Sequence, residues 1–202
     1  MNNLQLISKY FYPNRILDIG CHVGEFYSAC KAIYPSSYYF LIEGNKMCEQ
    51  YLKNIKIDYS IQLLSDSIKE IEFFLNNKDL LSTGSSYYKE CTIDNHFCDD
   101  NLIVEKRTTN TLDNLFKSDI VFDLIKIDTQ GSELDIIRGG QRLLNSTKGL
   151  LLECSLDVCN KNAPLYEEVK SHLHTIGFEQ REILDNHYYK GNLVQIDVLF
   201  TK

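Results

Sequence analysis

The sequence predicts an α/β protein built on one doubly wound, Rossmann-like sheet in a single domain. Three observations carry this. Short apolar runs alternate with segments of helical period along the chain. The 202 residues suit one domain, and no Gly/Ser-rich linker or internal repeat divides them. A hydrophobic content of 44% with ten Gly and three Pro excludes disordered and collagen-like classes.

The run RILDIG (15–20) reads as a short buried strand. GEFYSACKAIYP follows as a helix, because Phe26, Ala29, Cys30 and Ile33 share one helical face and Pro35 stops it. SYYFLIE is a second strand ending at Glu43, and NKMCEQYLKN a second helix. DYSIQLLSD is a third strand leading into IKEIEFFL, where Ile71, Phe73 and Leu75 alternate as on a strand. The stretch from Asn76 to Asn101 is irregular, rich in Ser, Asn, Asp and Tyr, and loops of that length usually carry function or move.

Regularity returns with LIVEKRTTNTLDNLF and the strand FDLIKID, 122–128. SELDIIRGGQRLLNS is read as one helix, with Ser132 as N-cap and Glu133 and Asp135 in the dipole-favoured first turn. GLLLECS is an apolar strand and PLYEEVKSHLHTIG a helix closed by Gly177. FEQREIL and NLVQIDVLF end the chain as a hairpin-like pair, for about seven strands in all.

Charge narrows the partners. With 21 basic and 28 acidic residues the net charge is −7, and no basic block is present to bind a nucleic-acid backbone. Small or neutral ligands are favoured instead. No run approaches the roughly 18–20 apolar residues of a membrane span, and MNNLQLISKYF lacks the features of a signal peptide. Seven cysteines without a CxxC pair read as buried reduced thiols. A cytoplasmic protein is expected.

Two constellations carry chemistry. In ILDIGCHVG a buried strand ends beside Asp18, and Gly20 and Gly24 bracket Cys21 and His22 before a helix starts. Glycine lets the backbone turn sharply and approach a ligand where open α/β sheets bind them. The third glycine of the dinucleotide fingerprint is missing, which disfavours a nicotinamide cofactor. Glu43 ends the second strand 23 residues after Gly20, where a carboxylate can accept ribose hydroxyls. Ser65 and Asp66 end the third strand on the same edge, placed either to flank a base or to make a turn.

The second constellation is DLIKIDTQGSE. Strand alternation puts Lys126 and Asp128 on one face, and Glu153 ends the following strand. Asp128 and Glu153, with Glu133 nearby, could take a proton or hold a divalent ion such as Mg²⁺ or Mn²⁺. The competing readings are a cap at the helix start for Asp128 and a plain ion pair for Lys126.

With these residues in hand, the chain resembles the FkbM family of class I S-adenosylmethionine-dependent methyltransferases over nearly its whole length. ILDIGCHVG is similar to the family's cofactor loop and FLIEGN to its acidic second-strand motif. LLSDSIKEIEFF and TTNTLDNLF are similar to the segments that follow, and FDLIKIDTQGSELDIIRGG with LLLE is the most diagnostic block. The resemblance implies a seven-stranded sheet in the order 3-2-1-4-5-7-6 with strand seven antiparallel. It also implies S-adenosylmethionine as cofactor and O-methylation of a sugar, glycan or polyketide hydroxyl. Cofactor contacts then fall on Asp18, Gly20, Cys21, His22, Gly24, Glu43, Ser65 and Asp66, and catalysis on Asp128 with Lys126 and Glu153.

Cys21-His22-Val23 stands where the family more usually has Ala-Asn-x, so His22 is a second candidate for the acceptor side. Tyr87, Tyr88 and His96 suit a sugar-binding face. The short stretch before the first strand suggests that an N-terminal lid is absent. It also suggests one module of a longer enzyme, fused to or working with glycosyltransferases. A non-catalytic cofactor-binding module is disfavoured by the intact Asp18, Glu43 and Asp128. N-methylation of protein or nucleic acid is disfavoured by the lack of an Asn/Asp-Pro-Pro-aromatic signature and of a basic face.

Overall fold

Strands covered on both faces read as continuous apolar runs, and the central strands of this protein are of that kind. The computed structural model describes residues 3–91 and 101–202. After a 3₁₀ turn at Asn3–Lys9 come β1 (Arg15–Ile19), α1 (Glu25–Ile33), β2 (Tyr38–Glu43), α2 (Glu49–Ile55) and β3 (Asp58–Ile61). Then follow β4 (Leu63–Leu64), β5 (Glu70–Asn76), β6 (Leu102–Asn110), α3 (Leu112–Leu115), β7 (Leu124–Ile127), α4 (Glu133–Arg138) and α5 (Gln141–Asn145). The chain ends with β8 (Gly149–Ser155), α6 (Tyr166–Thr175), β9 (Glu179–Tyr189) and β10 (Asn192–Thr201).

The main sheet has seven strands in the order β3-β2-β1-β7-β8-β10-β9. β3, β2, β1, β7 and β8 run parallel, and β10 is antiparallel to both its neighbours. This is the expected order. Alternation divides the core in two. Leu17, Ile19, Ile125, Ile127, Leu150 and Leu152 belong to one buried cluster with Ile136 and Ile137 of α4, Leu143 of α5 and Leu173 of α6. Ile16, Leu124, Leu151 and Leu199 belong to the other, with Ile7 and with Cys30 of α1. Residues of this second parity become charged further along: Asp18 on β1, Lys126 and Asp128 at β7, Glu153 on β8 and Asp197 on β10.

The structure departs from the sequence reading in three places. The predicted third strand is broken: Gln62 N still donates to Glu43 O at 2.8 Å, but Ser65 N donates to Asn110 O at 2.9 Å. The chain has outrun β2 and turns to β6, so a second sheet, β4-β6-β5, stands beside the one predicted.

The helix over 132–146 is two helices broken at Gly139–Gly140. A Cβ at Gly139 would lie 2.1 Å from Ser65 O and one at Gly140 2.8 Å from Leu112 Cδ1, so the pair lets neighbouring segments close in. Ser132 holds the N-cap position without a capping hydrogen bond. Glu133 satisfies the turn instead, accepting from Thr129 N at 2.8 Å and Gly131 N at 3.0 Å. The closing pair is the expected hairpin, closed by Lys190 and Gly191, both at positive φ (49° and 83°), the geometry of a two-residue turn that matches strand twist.

The six cysteines described are free thiols. No helix among the described residues is long and apolar enough to cross a membrane.

Asp123, just before β7, ties three segments together. Its Oδ2 accepts from Asn14 N (2.9 Å) and Arg15 N (3.0 Å), and Oδ1 meets Lys148 Nζ at 2.8 Å. Burial opposes its charge, but Lys148 and the two amides hold its carboxyl below the ordinary value of 3.8. The lowered value means its contribution is present above the unfolded-state pKa and is lost as pH falls through the folded one. Asp123→Ala is expected to lower unfolding free energy by about 2–3 kcal/mol at pH 7, read by urea denaturation, and by much less in strong acid.

Candidate active site

A cavity of about 340 Å³ opens at the carboxyl ends of the parallel strands, beside the point where strand order reverses between β1 and β7. Its walls include Gly20, His22, Glu43, Lys126, Asp128 and Glu153.

The loop after β1 can pass because Gly20 has no side chain: a Cβ there would lie 1.7 Å from Asp128 O, and its φ is +75°. Gly20 N and Cys21 N both donate to Ile42 O, at 2.9 and 3.1 Å, which pins the loop to the end of β2. Cys21 lines the cavity but its thiol is buried and pushed far up by burial, so it contributes backbone. Gly24 is the left-handed N-cap of α1 and lies behind the wall.

Glu43 is fixed by the same loop. Oε2 accepts from His22 N at 2.8 Å and Oε1 from Asn45 N at 2.7 Å. Burial pushes its carboxyl up, against the pull of these amides. Each oxygen keeps acceptor capacity for a further hydroxyl.

Lys126 is the cation of the site. Its Nζ lies 2.9 Å from Asp128 Oδ2 and 3.8 Å from Asp18 Oδ1, with the Phe26 ring 5.3 Å away. Burial opposes the ammonium, but the two carboxylates outweigh it and keep it charged. Asp18 is fully buried, and burial lifts its carboxyl to about 6 against the pull of Lys126. Neither of its oxygens completes a hydrogen bond. Asp128 is held below the usual range: Lys126, with hydrogen bonds from Gln130 and Glu153, outweighs the burial penalty.

Glu153 answers in the other direction. Burial first, then Asp128, Glu133 and Asp197, push it up to about 9. Gln130 joins the two carboxylates, donating to Asp128 Oδ1 at 3.2 Å and to Glu153 Oε2 at 2.6 Å. Gln130 sits at φ +56°, a costly conformation for a non-glycine, which aims its amide into the cavity. From β10, Gln195 donates to Glu153 Oε2 at 3.0 Å.

Several expectations change here. Glu133 is not a free ligand, because its carboxylate is spent on Thr129 and Gly131, and burial lifts it to about 7. Among the described residues, the metal-competent group containing Glu153 is completed by His187 and Asp197, not by Asp128 and Glu133. Asp66 is engaged by Lys69 at 2.7 Å, and neither it nor Ser65 lines the cavity. Ser65 acts one step back, its Oγ 3.2 Å from Tyr87 OH.

The tyrosines expected to face a sugar have their hydroxyls tied to Asp135. Tyr87 OH and Tyr88 OH lie 3.1 and 2.8 Å from Asp135 Oδ2, so their polar tips are engaged within the protein. Tyr87 lines the cavity near Ser132 and Ile136. His96 lies outside the described residues.

The segment carrying these tyrosines roofs the cavity. His22 Nε2 pairs with Leu81 O (2.7 Å), Asn45 Nδ2 donates to Leu80 O (2.7 Å) and Ser86 Oγ to Gln130 O (2.9 Å). Sequence reasoning missed Asn45, Gln130, Gln195, His187 and Asp197. Only Gln130 carried a local signal, its place before Gly131 in the turn after β7.

Solved structures share this fold. A TehB-like SAM-dependent methyltransferase from Corynebacterium glutamicum superposes with a TM-score of 0.51 at 10% identity, covering 100% of this chain and 86% of that one. A precorrin-6y C5,15-methyltransferase from Geobacter metallireducens gives 0.53 at 12% identity, covering 99% and 85%. The plantazolicin methyltransferase BpumL, solved with S-adenosylhomocysteine (SAH) and a triazolic desmethylPZN analogue, gives 0.52 at 13%, covering 98% and 80%. These likenesses show a shared fold. No curated protein matches in sequence.

The residues present fit S-adenosylmethionine: Glu43 keeps acceptor capacity on the cavity wall, and the Gly20 turn brings backbone up to the same wall. The family model of the FkbM methyltransferase domain matches residues 18–182. That match takes in the glycine turn, Glu43, the Lys126–Asp128 pair and Glu153, and with it the chain belongs to the FkbM-domain family of S-adenosylmethionine-dependent methyltransferases.

Proposed function

We propose that the protein transfers a methyl group to a hydroxyl oxygen of a sugar or glycan. The observation that carries this reading is Asp128: a carboxylate kept ionised at the cavity wall, one oxygen on Lys126 and the other on Gln130. The cofactor supplies a methyl carbon made electrophilic by its sulfonium.

An alcohol attacking that carbon becomes positively charged as the new C–O bond forms. A neighbouring carboxylate stabilises this charge and then takes the proton. The low basicity of Asp128 is no obstacle, because a protonated ether is far more acidic than any carboxylic acid. Gln130 and Lys126 fix the direction in which Asp128 faces the hydroxyl, which is the positioning on which an in-line displacement depends. Gln130 bridges Asp128 and Glu153 and so fixes the spacing of the two side chains.

A sugar acceptor is supported by the polar side chains beside Asp128. Ser82, Thr83, Ser85, Gln130 and Glu153 line the same cavity and bring hydroxyl, amide and carboxyl groups, the mixture that matches neighbouring hydroxyls. The net charge of −7 weighs against a nucleic-acid acceptor.

Asp128→Asn is expected to lower kcat at least about a hundredfold with little change in melting temperature. Near-normal turnover would remove Asp128 from the mechanism. Glu43→Ala should bind SAH at least tenfold more weakly by calorimetry, since charge-assisted hydrogen bonds are worth about 1.5–3 kcal/mol. Tyr87→Ala should also weaken SAH binding, by about tenfold; a change confined to the acceptor KM would return Tyr87 to the acceptor side. The acceptor class is tested by mass spectrometry of a sugar and glycan panel, where a gain of methyl on carbon or nitrogen alone would overturn O-methylation.

A further inference from the structure

The last hairpin brings a histidine and a carboxylate up to Glu153. Asp197 on β10 pairs directly with Glu153 on β8, and His187 on β9 pairs with Gln195, one step along the same face. The ladder between β9 and β10 shifts register on both sides of this point, after Leu193 and after Asp197. Such bulges re-aim side chains, and here they let His187 lean towards Asp197.

His187 Nε2 lies 3.3 Å from Asp197 Oδ1 and 3.9 Å from Glu153 Oε1, and one ligand atom from each residue falls within 4.8 Å of the others. We infer that Glu153, His187 and Asp197 form a binding site for a divalent transition ion of the Mn²⁺ kind, at the edge of the cavity beside Asp128.

Three features favour an ion. The 3.3 Å separation matches an edge of a tetrahedral shell with metal–ligand distances of about 2.0–2.2 Å, and the 3.9 Å one closes to such an edge with a small side-chain shift. The Glu153 side chain is 10% exposed, and its Oε2 is held by Gln130 and Gln195, which leaves Oε1 facing His187 and Asp197. Along this face Asp18, Asp128, Glu153 and Asp197 are matched by Lys126 as the one permanent cation among the described residues that contact them.

One imidazole and two carboxylates suit Mn²⁺, Fe²⁺ or Zn²⁺ better than Mg²⁺, which prefers oxygen ligands alone. Three protein ligands leave coordination positions open. The ion site stands on geometry; its use in fixing an acceptor hydroxyl near Asp128 rests on the methyl-transfer reading.

The test titrates the purified chain with Mn²⁺ and follows the free ion by electron paramagnetic resonance, with SAH affinity measured on the same samples. One ion per chain is expected. His187→Ala and Asp197→Asn should each weaken it at least tenfold while SAH affinity is kept, which reports an intact fold. Asp185→Asn, an exposed carboxylate on the same hairpin, should leave Mn²⁺ affinity unchanged.

No retention of Mn²⁺ at millimolar concentration would overturn the site. Equal losses in all three variants would also overturn it, because diffuse attraction to an acidic surface would then explain binding. Mn²⁺ binding without SAH binding would sustain the ion site and remove the methyltransferase reading, and SAH binding without Mn²⁺ the reverse.

Discussion

Lys126 is the group on which the rest of the site depends. Its ammonium is buried between Asp18 and Asp128, and none of the three would keep its charge alone in that place. The register that pairs Asp18 with Lys126 across β1 and β7 therefore sets more than a backbone ladder. It places a cation where it can hold Asp128 ionised at the cavity wall while Asp18, one strand away, stays beneath the floor. Losing the lysine would leave two buried carboxylates without a cation.

From this ion group the electrostatics spread outward along one face of the sheet. The lower part of that face is apolar and packs on the first 3₁₀ turn and α1. Its upper part is polar, and each acidic side chain there raises the cost of ionising the next. Glu153 bears that cost most heavily, with Asp128, Glu133 and Asp197 around it. Side-chain amides of Gln130 and Gln195 hold it in place, so the carboxylates stay ordered without a cation for each. An arrangement like this keeps a carboxylate charged where an acceptor would sit, at some expense to folding.

The roof is built differently from the floor. Strands and helices meet through buried apolar side chains, whereas the segment around Leu80–Tyr88 is tied down largely by polar contacts. His22, Asn45 and Asn160 bond its carbonyl oxygens, and Tyr87 and Tyr88 reach Asp135. Of these partners, His22 and Asn45 themselves wall the cavity. Such polar, partly exposed ties open at lower free energy than the core, a property suited to a cover over an exchanging cofactor.

Local pattern alone determined much of this protein. Apolar runs of strand length, helical spacing from Phe26 to Ile33, the glycine turn after Asp18 and the acidic strand ends at Glu43, Asp128 and Glu153 all follow from period and covalent spacing. They are legible because each is decided by residues within a few positions of one another. Sheet order came from the family resemblance, since no periodicity says which strands become neighbours.

Tertiary structure decided the remainder. Leu63 to Ser65 leave the main sheet to pair along β6, and the helix after β7 breaks at Gly139, where Ser65 passes close by. Likewise Gln130, His187, Gln195 and Asp197 acquire meaning only when β10 inserts antiparallel between β8 and β9 and sets them around Glu153. Residues so far apart in the chain share no local signal, and their meeting is fixed by strand register and packing, which exist only in the folded molecule.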